Sequence, residues 1–528
     1  MGSNRLIKPL LSNDKMDSLH QLALETIQLG KQALIFVPSR ASAEKAAEEL
    51  SKLTPLHYPD LAEEILSVTS TPTRQCRRLS QTISKGIAFH HAGLLSEQKD
   101  LIELEFRSGK IKIICCTPTL AAGLSMPAFR VIIKSLKRFS GEWGMDWIPV
   151  LEYLQMAGRA GRPEYESFGE AIVIARDERE RQEIFSRYIC GVPEEIYSKL
   201  AVEPVLRTYL LSLISSGIIA DESSMKDFFS RTFWAHQFAD MPQLEKIMNK
   251  MLSLLKEWQF MAISGPSEDG FISAHRLGSN SKKMSATALG RRVSELYLDP
   301  LTARHLLDCL RKLNETKTEE TKIEFSLLQM ISHTLELRPL LRTKAKEQDF
   351  IQQELVKREE LLLKAEPSIY EADYSEFVDS IKTALFFEAW ISEQQEDFLL
   401  DKFDIRPGEI RVKLEAAEWL LYAAEELAKL MFYHQAAKEL AKLRIRIKEG
   451  VKEELLPLLK LKNIGRIRSR KMFNSGIKDL GDVKKADLTT LSQLIGLKIA
   501  EDVKKQVGEE VKFISAGKRK GQLSLEKF

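Results

Sequence analysis

Cysteine is scarce in this 528-residue sequence: Cys76, Cys115, Cys116, Cys190 and Cys309 are the five, and no two form a C-x-x-C pair. That favours a reduced, cytoplasmic setting over a disulfide framework. Cys115 and Cys116 fall in the apolar run 111–116, where free thiols behave as small hydrophobes. An excess of one charge is also lacking, because 78 Lys and Arg face 75 Asp and Glu for a net charge of +3. Any nucleic-acid site must therefore be local. No apolar run is long enough to cross a bilayer and no signal-peptide pattern is present, so no membrane partner is expected. There is no G-x-x-x-x-G-K-[ST], since Gly109-Lys110 and Gly517-Lys518 lack the earlier glycine and the Ser or Thr. There is no D-E-x-H to hold magnesium. His236 and His275 have no accompanying Cys or Asp cluster, so no metal site is assigned.

What is present describes soluble globular material, 44% hydrophobic and 29% charged, long enough for about three to five domains. Short apolar runs at 33–37, 86–91, 111–116, 131–133 and 171–174 alternate with helical patterns. Such alternation predicts an α/β domain with a parallel sheet, whose ligands bind beyond the carboxyl ends of the strands. Ser39, Arg40, His91, Thr117 and Thr119 fall at those ends. The stretch Gln155 to Pro163 contains Gly158-Arg159 and Gly161-Arg162. If glycine ends a helix there, both guanidiniums project from one helix end and can fork onto one anion, phosphate being the best geometric match.

Four ordered stretches then carry a resemblance: Phe36 to Arg40, Phe89 to Leu94, Thr117 to Gly123, and Gln155 to Pro163. They resemble motifs IV, IVa, V and VI of superfamily-two helicases of the Ski-like group. The match is to the archaeal Hjm family, related to HELQ and to the helicase part of polymerase theta. The resemblance implies a second RecA-like domain over 1–190. Gln155, Arg159 and Arg162 would serve catalysis, Gly123 and the arginines would contact ATP, and Ser39, Arg40, His91, Thr117 and Thr119 would contact DNA. Ser125 stands where the family usually has Asn. ATP and Mg2+ would be bound mainly by a first RecA-like domain ahead of this point, supplied in cis by a longer chain or in trans.

Between the last two motifs, large apolar residues surround Gly141 and Gly144, which suggests a β-hairpin. By resemblance it splits the duplex, with Phe139, Trp143 and Trp147 stacking on the last base pair; the alternative is a hairpin folded onto its own sheet. Residues 191–295 read as helices closed by short strands, and the resemblance implies a winged helix packed on the motor. Residues 296–447 form a helical stretch in which Phe377, Ile381 and Leu385 make a buried stripe. Lys382, Phe386 and Trp390 follow a four-residue step on a different face. By resemblance this is a ratchet helix, Lys382 meeting phosphate and Trp390 stacking on a base; the alternative places Trp390 in the core, as Trp419 is expected to be.

Residues 448–515 resemble a helix-hairpin-helix, with Gly465, Arg466 and Arg468 offered to a phosphate at a helix start. The basic tail 516–528 ends in Gln522, Leu525 and Phe528, a Q-x-x-L-x-x-F spacing similar to peptides that bind the PCNA sliding clamp, set against a disordered tail. Two functions are open, and the direction, the choice of DNA and the role at forks in the first are what the resemblance implies. One is the larger part of a nucleoid-associated, ATP-dependent 3′–5′ DNA helicase acting on single-stranded and forked DNA in repair and replication restart. The other is a non-catalytic DNA-binding subunit tethered to a clamp.

Overall fold

The computed structural model describes residues 17–69, 72–121, 126–139, 145–161, 168–238, 240–264, 283–315 and 323–508. Gly123, Ser125, Trp143, Arg162, His275, the side chain of Phe139 and the clamp-like tail with Gln522, Leu525 and Phe528 lie outside the described residues. The chain divides into two compact units: one runs to Ser198 and takes back 396–412, the other holds 199–395 and everything from Lys413 onward.

In the first unit, the strands β1 (Ala33–Phe36), β2 (Ile87–His90), β3 (Ile113–Cys116), β4 (Arg130–Ile133) and β7 (Glu170–Val173) form one parallel sheet in the order β2-β3-β1-β4-β7. Two more strands, β5 (Lys137–Phe139) and β6 (Met145–Trp147), pair antiparallel as a separate hairpin. All four residues of β1, β2, β3 and β4 are buried, which is why those segments read as continuous apolar runs. The sheet is covered by α1 (Ser18–Gln28), α2 (Arg40–Ser51), α3 (Pro59–Ser67), α4 (Arg74–Ile83), α5 (Ser96–Arg107), α6 (Val150–Ala157) and α7 (Glu178–Ile184).

Polar groups fix where these helices begin. The Ser39 hydroxyl accepts the Ser42 N–H and caps α2, and Thr73 does the same for α4 through Cys76. Arg130, buried at the start of β4, donates to the Leu22 carbonyl at 3.0 Å and to Glu25 and Thr26 at 2.9 Å, binding α1 to the sheet. Glu194 lies just past the boundary expected at residue 190, and it belongs to this unit. Its carboxylate accepts the Val150 and Leu151 N–H groups at 2.6 and 3.1 Å, capping α6.

The return at 396–412 is not signalled in the sequence, which reads as part of the helical stretch 296–447. It comprises the helix Glu396–Phe403 and the opening of the helix Pro407–Leu430. Backbone meets backbone there: the Gly408 N–H donates to the Gly93 carbonyl at 3.0 Å. A Cβ on Gly408 would sit 2.5 Å from the carbonyl oxygens of both Ala92 and Leu94.

The second unit is mostly helical. The helices Glu203–Ser215, Met241–Glu257 and Ala288–Glu295 accompany an antiparallel ribbon of Met261–Ser264 with Lys283–Ala286. The helices Pro300–Glu315, Ile323–Ser332, Tyr374–Ile391 and His434–Glu449 pack together. A separate small core joins Leu458, Ile464, Met472, Leu491 and Val503.

Gly408→Ala should destabilise the first unit by about 2 kcal/mol, the usual cost of forcing atoms into a filled space. Urea unfolding of the chain and the variant measures this; equal midpoints would show that the 396–412 return does not press on the 91–94 loop.

Candidate functional site

Parallel strands put all their carboxyl ends on one sheet edge, and the loops that leave them meet there. A cleft of about 910 Å³ opens at that edge. Ser39 and Arg40 line it from the end of β1, Thr117 and Thr119 from the end of β3, and Gln155 from α6. All four sequence motifs thus reach one concave surface, the stretch Phe89 to Leu94 through Ala92. Thr117 and Thr119 share a hydrogen bond of 2.9 Å, and Thr119 is exposed while Thr117 is buried.

The cleft is less basic than its arginines suggest. Arg40, Lys137, Arg138 and Arg406 line it together with Glu152, Asp404 and Glu409. Each of the four cations already has a carboxylate partner. Arg40 pairs with Glu409, Arg138 with Glu152 at 2.9 Å, Lys137 with Glu180 at 3.3 Å, and Arg406 with Glu44 at 3.6 Å.

His91, expected at the strand end as a DNA contact, does not line the cleft. It is 1% exposed; its Nδ1 accepts the Gly93 N–H at 3.1 Å, so Nε2 carries the proton toward Glu44 at 3.2 Å. Burial holds the imidazole below its usual range, with the Glu44 contact opposing the shift. Glu44, itself 3% exposed, also accepts from Gln75 at 2.9 Å and from Arg78 at 2.5 Å. Burial alone would raise this carboxyl; hydrogen bonds from His91 and Gln75 and the charges of Arg406 and Arg78 outweigh it and bring it to about 2.

Gly158 ends α6, as the glycines predict, and Arg159 follows it. The Arg159 guanidinium folds onto the Ala121 carbonyl, Nε at 3.1 Å and Nη2 also donating, so the arginine stretch clasps the end of the Thr117–Ala121 turn. The Arg159 carbonyl accepts the Ala128 N–H at 2.9 Å, and Gly161 donates back to Ala128 at 2.7 Å. Nη1 of Arg159 has no partner among the described residues.

The β5–β6 hairpin forms where the glycines predict it, but Trp147 is not a free wedge. Its ring is half-buried against the sheet core, tilts onto Tyr188 at 5.8 Å and lies under the Lys137 ammonium at 4.0 Å. For this residue the hairpin folded back on its own domain is the arrangement found.

The helix Tyr374–Ile391 departs further from expectation. Phe377, Ile381 and Leu385 are buried as predicted, but so are Phe386 and Lys382. The Lys382 side chain is 3% exposed, and its ammonium bonds the Arg342 carbonyl at 2.9 Å and Glu347 at 2.8 Å. No cation–indole stripe faces outward. A lysine at helical spacing says nothing about the loop that covers it, and here 342–347 does so. Trp390 is half-buried: its indole N–H donates to the Ile447 carbonyl at 2.8 Å. Gly450, at φ 67°, closes on the same ring, leaving no room for a Cβ. The Arg466 guanidinium sits over that ring at 5.1 Å, with Nη2 on the Gln394 carbonyl at 2.6 Å. Trp419 is half-buried, donating to the Leu296 carbonyl at 3.2 Å.

Gly465 precedes the helix Arg466–Asn474 and caps it with no side-chain hydrogen bond. Arg468 donates to the Asn463 carbonyl at 3.0 Å, and Arg470 forks onto Glu393 with two bonds of 2.7 Å.

Comparison with known proteins agrees with this organisation. The family described as "Helicase conserved C-terminal domain" matches residues 14–164, and "Archaeal helicase, domain 4" matches 325–450. The chain is 38% identical over 521 residues to the ATP-dependent DNA helicase Hel308 of Pyrococcus horikoshii, covering 97% of this chain and 68% of that protein. It is 36% identical over 526 residues to the Hel308 of Methanococcus vannielii, covering 94% and 68%. The protein of the same name from Pyrobaculum calidifontis is 34% identical over 497 residues, covering 92% and 65%. The chain belongs to the Hel308 family.

Sequence reasoning missed the acids of this Hel308-family chain. Glu44, Glu347 and Glu409 hold His91, Lys382 and Arg40 respectively. Pro407 and Glu409 do spell a helix start, with proline at its first position and a carboxylate at its third, but that pattern is silent about a partner 369 residues away. No helix among the described residues is long and apolar enough to cross a membrane, and none of their His, Cys, Asp and Glu side chains cluster for a metal.

Glu44→Ala should cost about 3 kcal/mol, because it strands the buried donors of His91 and Gln75 and removes a partner of the half-buried Arg78 and Arg406 guanidiniums. A carboxyl held at about 2, below its ordinary 4.5, adds stability that is full above pH 4.5 and lost as pH falls toward 2. The gap between chain and variant in denaturant unfolding should therefore close on acidification, and a gap independent of pH would contradict the hub. Lys382→Ala should likewise lower stability by about 2 kcal/mol or more, while leaving the salt dependence of DNA binding unchanged. A shallower salt slope with unchanged stability would restore Lys382 to the DNA contact.

Proposed function

We propose that this chain forms the larger part of an ATP-dependent 3′–5′ DNA helicase, with a single strand of DNA running through the cleft at the sheet edge. The observation that carries the reading is the convergence of Ser39, Arg40, Thr117, Thr119 and Gln155 on that cleft from three separate motifs. The relatives are ATP-dependent DNA helicases by name.

In this reading the residues divide the work. Exposed hydroxyls at Ser39 and Thr119 and the Arg40 guanidinium meet phosphates, contacts that position a strand without reading its bases. Arg159 is fixed by Ala121 on two nitrogens and presents the third to the nucleotide. Arg162, next in the same stretch, is assigned the same role, and Gly123 the approach to the nucleotide. ATP with Mg2+ supplies the phosphoryl-transfer chemistry, held mainly by a first RecA-like domain in cis or in trans, because this sequence carries neither phosphate loop nor D-E-x-H. An arginine aimed at the transferred phosphate stabilises charge that develops only in the transition state. Arg159 also ties α6 to the 117–121 turn that lines the cleft, so nucleotide and strand would be sensed through adjoining backbone.

The grip on the strand in the second unit is assigned to Trp390 and to the Gly465–Arg468 turn rather than to Lys382. Trp390 is held by Ile447 and Gly450 in one orientation, which suits a stacking post.

With a phosphate-loop domain supplied, Arg159→Ala should lower DNA-stimulated ATP hydrolysis about 1,000-fold, the scale of an arginine that completes a phosphoryl-transfer site. Affinity for single-stranded DNA should not change. Hydrolysis at the unmodified rate would remove Arg159 from the nucleotide site.

A further inference from the structure

Among the cations of the cleft, Arg40 is the one whose partner is both partly exposed and fixed by something else. Lys137 and Arg406 lean on carboxylates that are largely or wholly buried, Glu180 and Glu44. Arg138 engages both oxygens of Glu152, its neighbour at the hairpin base. Arg40 instead donates through Nη1 to one oxygen of Glu409, and the two side chains are 38% and 31% exposed. The other Glu409 oxygen accepts the Arg406 N–H at 3.0 Å, which caps the helix Pro407–Leu430. The carboxylate is therefore held in place by the helix start, with or without Arg40. The arginine is the long, movable partner.

We propose that Glu409 is an internal competitor for the DNA backbone: it occupies Arg40 when no strand is present, and an incoming phosphate displaces it. This rests on the reading that the cleft holds a strand. The exchange is charge for charge, since guanidinium binds carboxylate and phosphate with the same donor geometry. Water reaches both side chains and screens the pair, so breaking it costs little. A carboxylate left in the cleft also repels the phosphate that replaced it. Both effects lower affinity without removing a contact, as suits a motor that must release the strand at every step.

Glu409→Gln is a clean probe, because glutamine keeps the cap through its carbonyl oxygen while the charge is lost. Binding of a fluorescein-labelled oligothymidylate to the 528-residue chain is followed by anisotropy across a salt series. Glu409→Gln should bind about 3-fold tighter or more at low salt, and its log K against log salt should steepen by about 0.7, because the same Arg40–phosphate contact is then made by a cation with no internal carboxylate to neutralise it. In an Arg40→Gln background the same change should leave that slope unaltered. Glu409→Asp, whose shorter arm withdraws the charge from Arg40, should move the slope in the same direction and stands in if Glu409→Gln lowers the thermal midpoint. Wild-type affinity and slope in both Glu409 variants, with weakened binding in Arg40→Gln, would overturn the competition while leaving the cleft as the strand's path. Unchanged binding in Arg40→Gln and in Thr119→Val would overturn the path itself, and the proposal with it.

Discussion

One buried carboxylate holds the candidate site together. Glu44, on the second turn of α2, gathers the imidazole that follows β2, two side chains of α4 and the arginine that precedes the helix Pro407–Leu430. A charge with so little access to water persists only if it is saturated with donors, and this one is. The consequence is positional: α2 begins at Ser39 and Arg40, so the hub fixes the loop that opens the cleft. His91, whose place beside a strand end invited a nucleic-acid role, is one of the groups consumed in doing this.

Electrostatics gives the cleft a second character. Its cations are neutralised from within, which agrees with an overall charge near zero. A uniformly basic groove would bind DNA tightly and release it slowly. In the proposed reading, paired arginines still reach phosphate, but each contact displaces an internal partner, so strand affinity would depend on exchange rather than on bare attraction. Trp390 shows the same economy of contact in the second unit: a large aromatic held by a carbonyl, a glycine and a guanidinium, oriented before any ligand arrives.

Much of the fold was legible in the sequence for definite reasons. The strands of the parallel sheet are apolar on both faces and short, so runs such as 33–37 and 111–116 announced themselves, and their carboxyl ends then located Ser39, Arg40, Thr117 and Thr119. Gly158 marked the end of α6 and so the launch point of Arg159. What could not be read was pairing across long separations. Glu409 and Arg40 are 369 positions apart, and nothing in either neighbourhood names the other. The Tyr374–Ile391 helix misled for a related reason: spacing gives the face of a helix a residue occupies, but not whether another segment covers that face, and 342–347 covers Lys382. Trp147 misled because an aromatic in a hairpin has the same pattern whether it points at solvent or packs on Tyr188.

The most direct test of the central claim is amide hydrogen exchange on the chain with and without a saturating single-stranded oligothymidylate. If the cleft is the strand's path, peptides covering 38–42 and 117–121 slow on binding, together with those around 465–468. Slowing confined to 465–468, with both cleft loops unchanged, would contradict it.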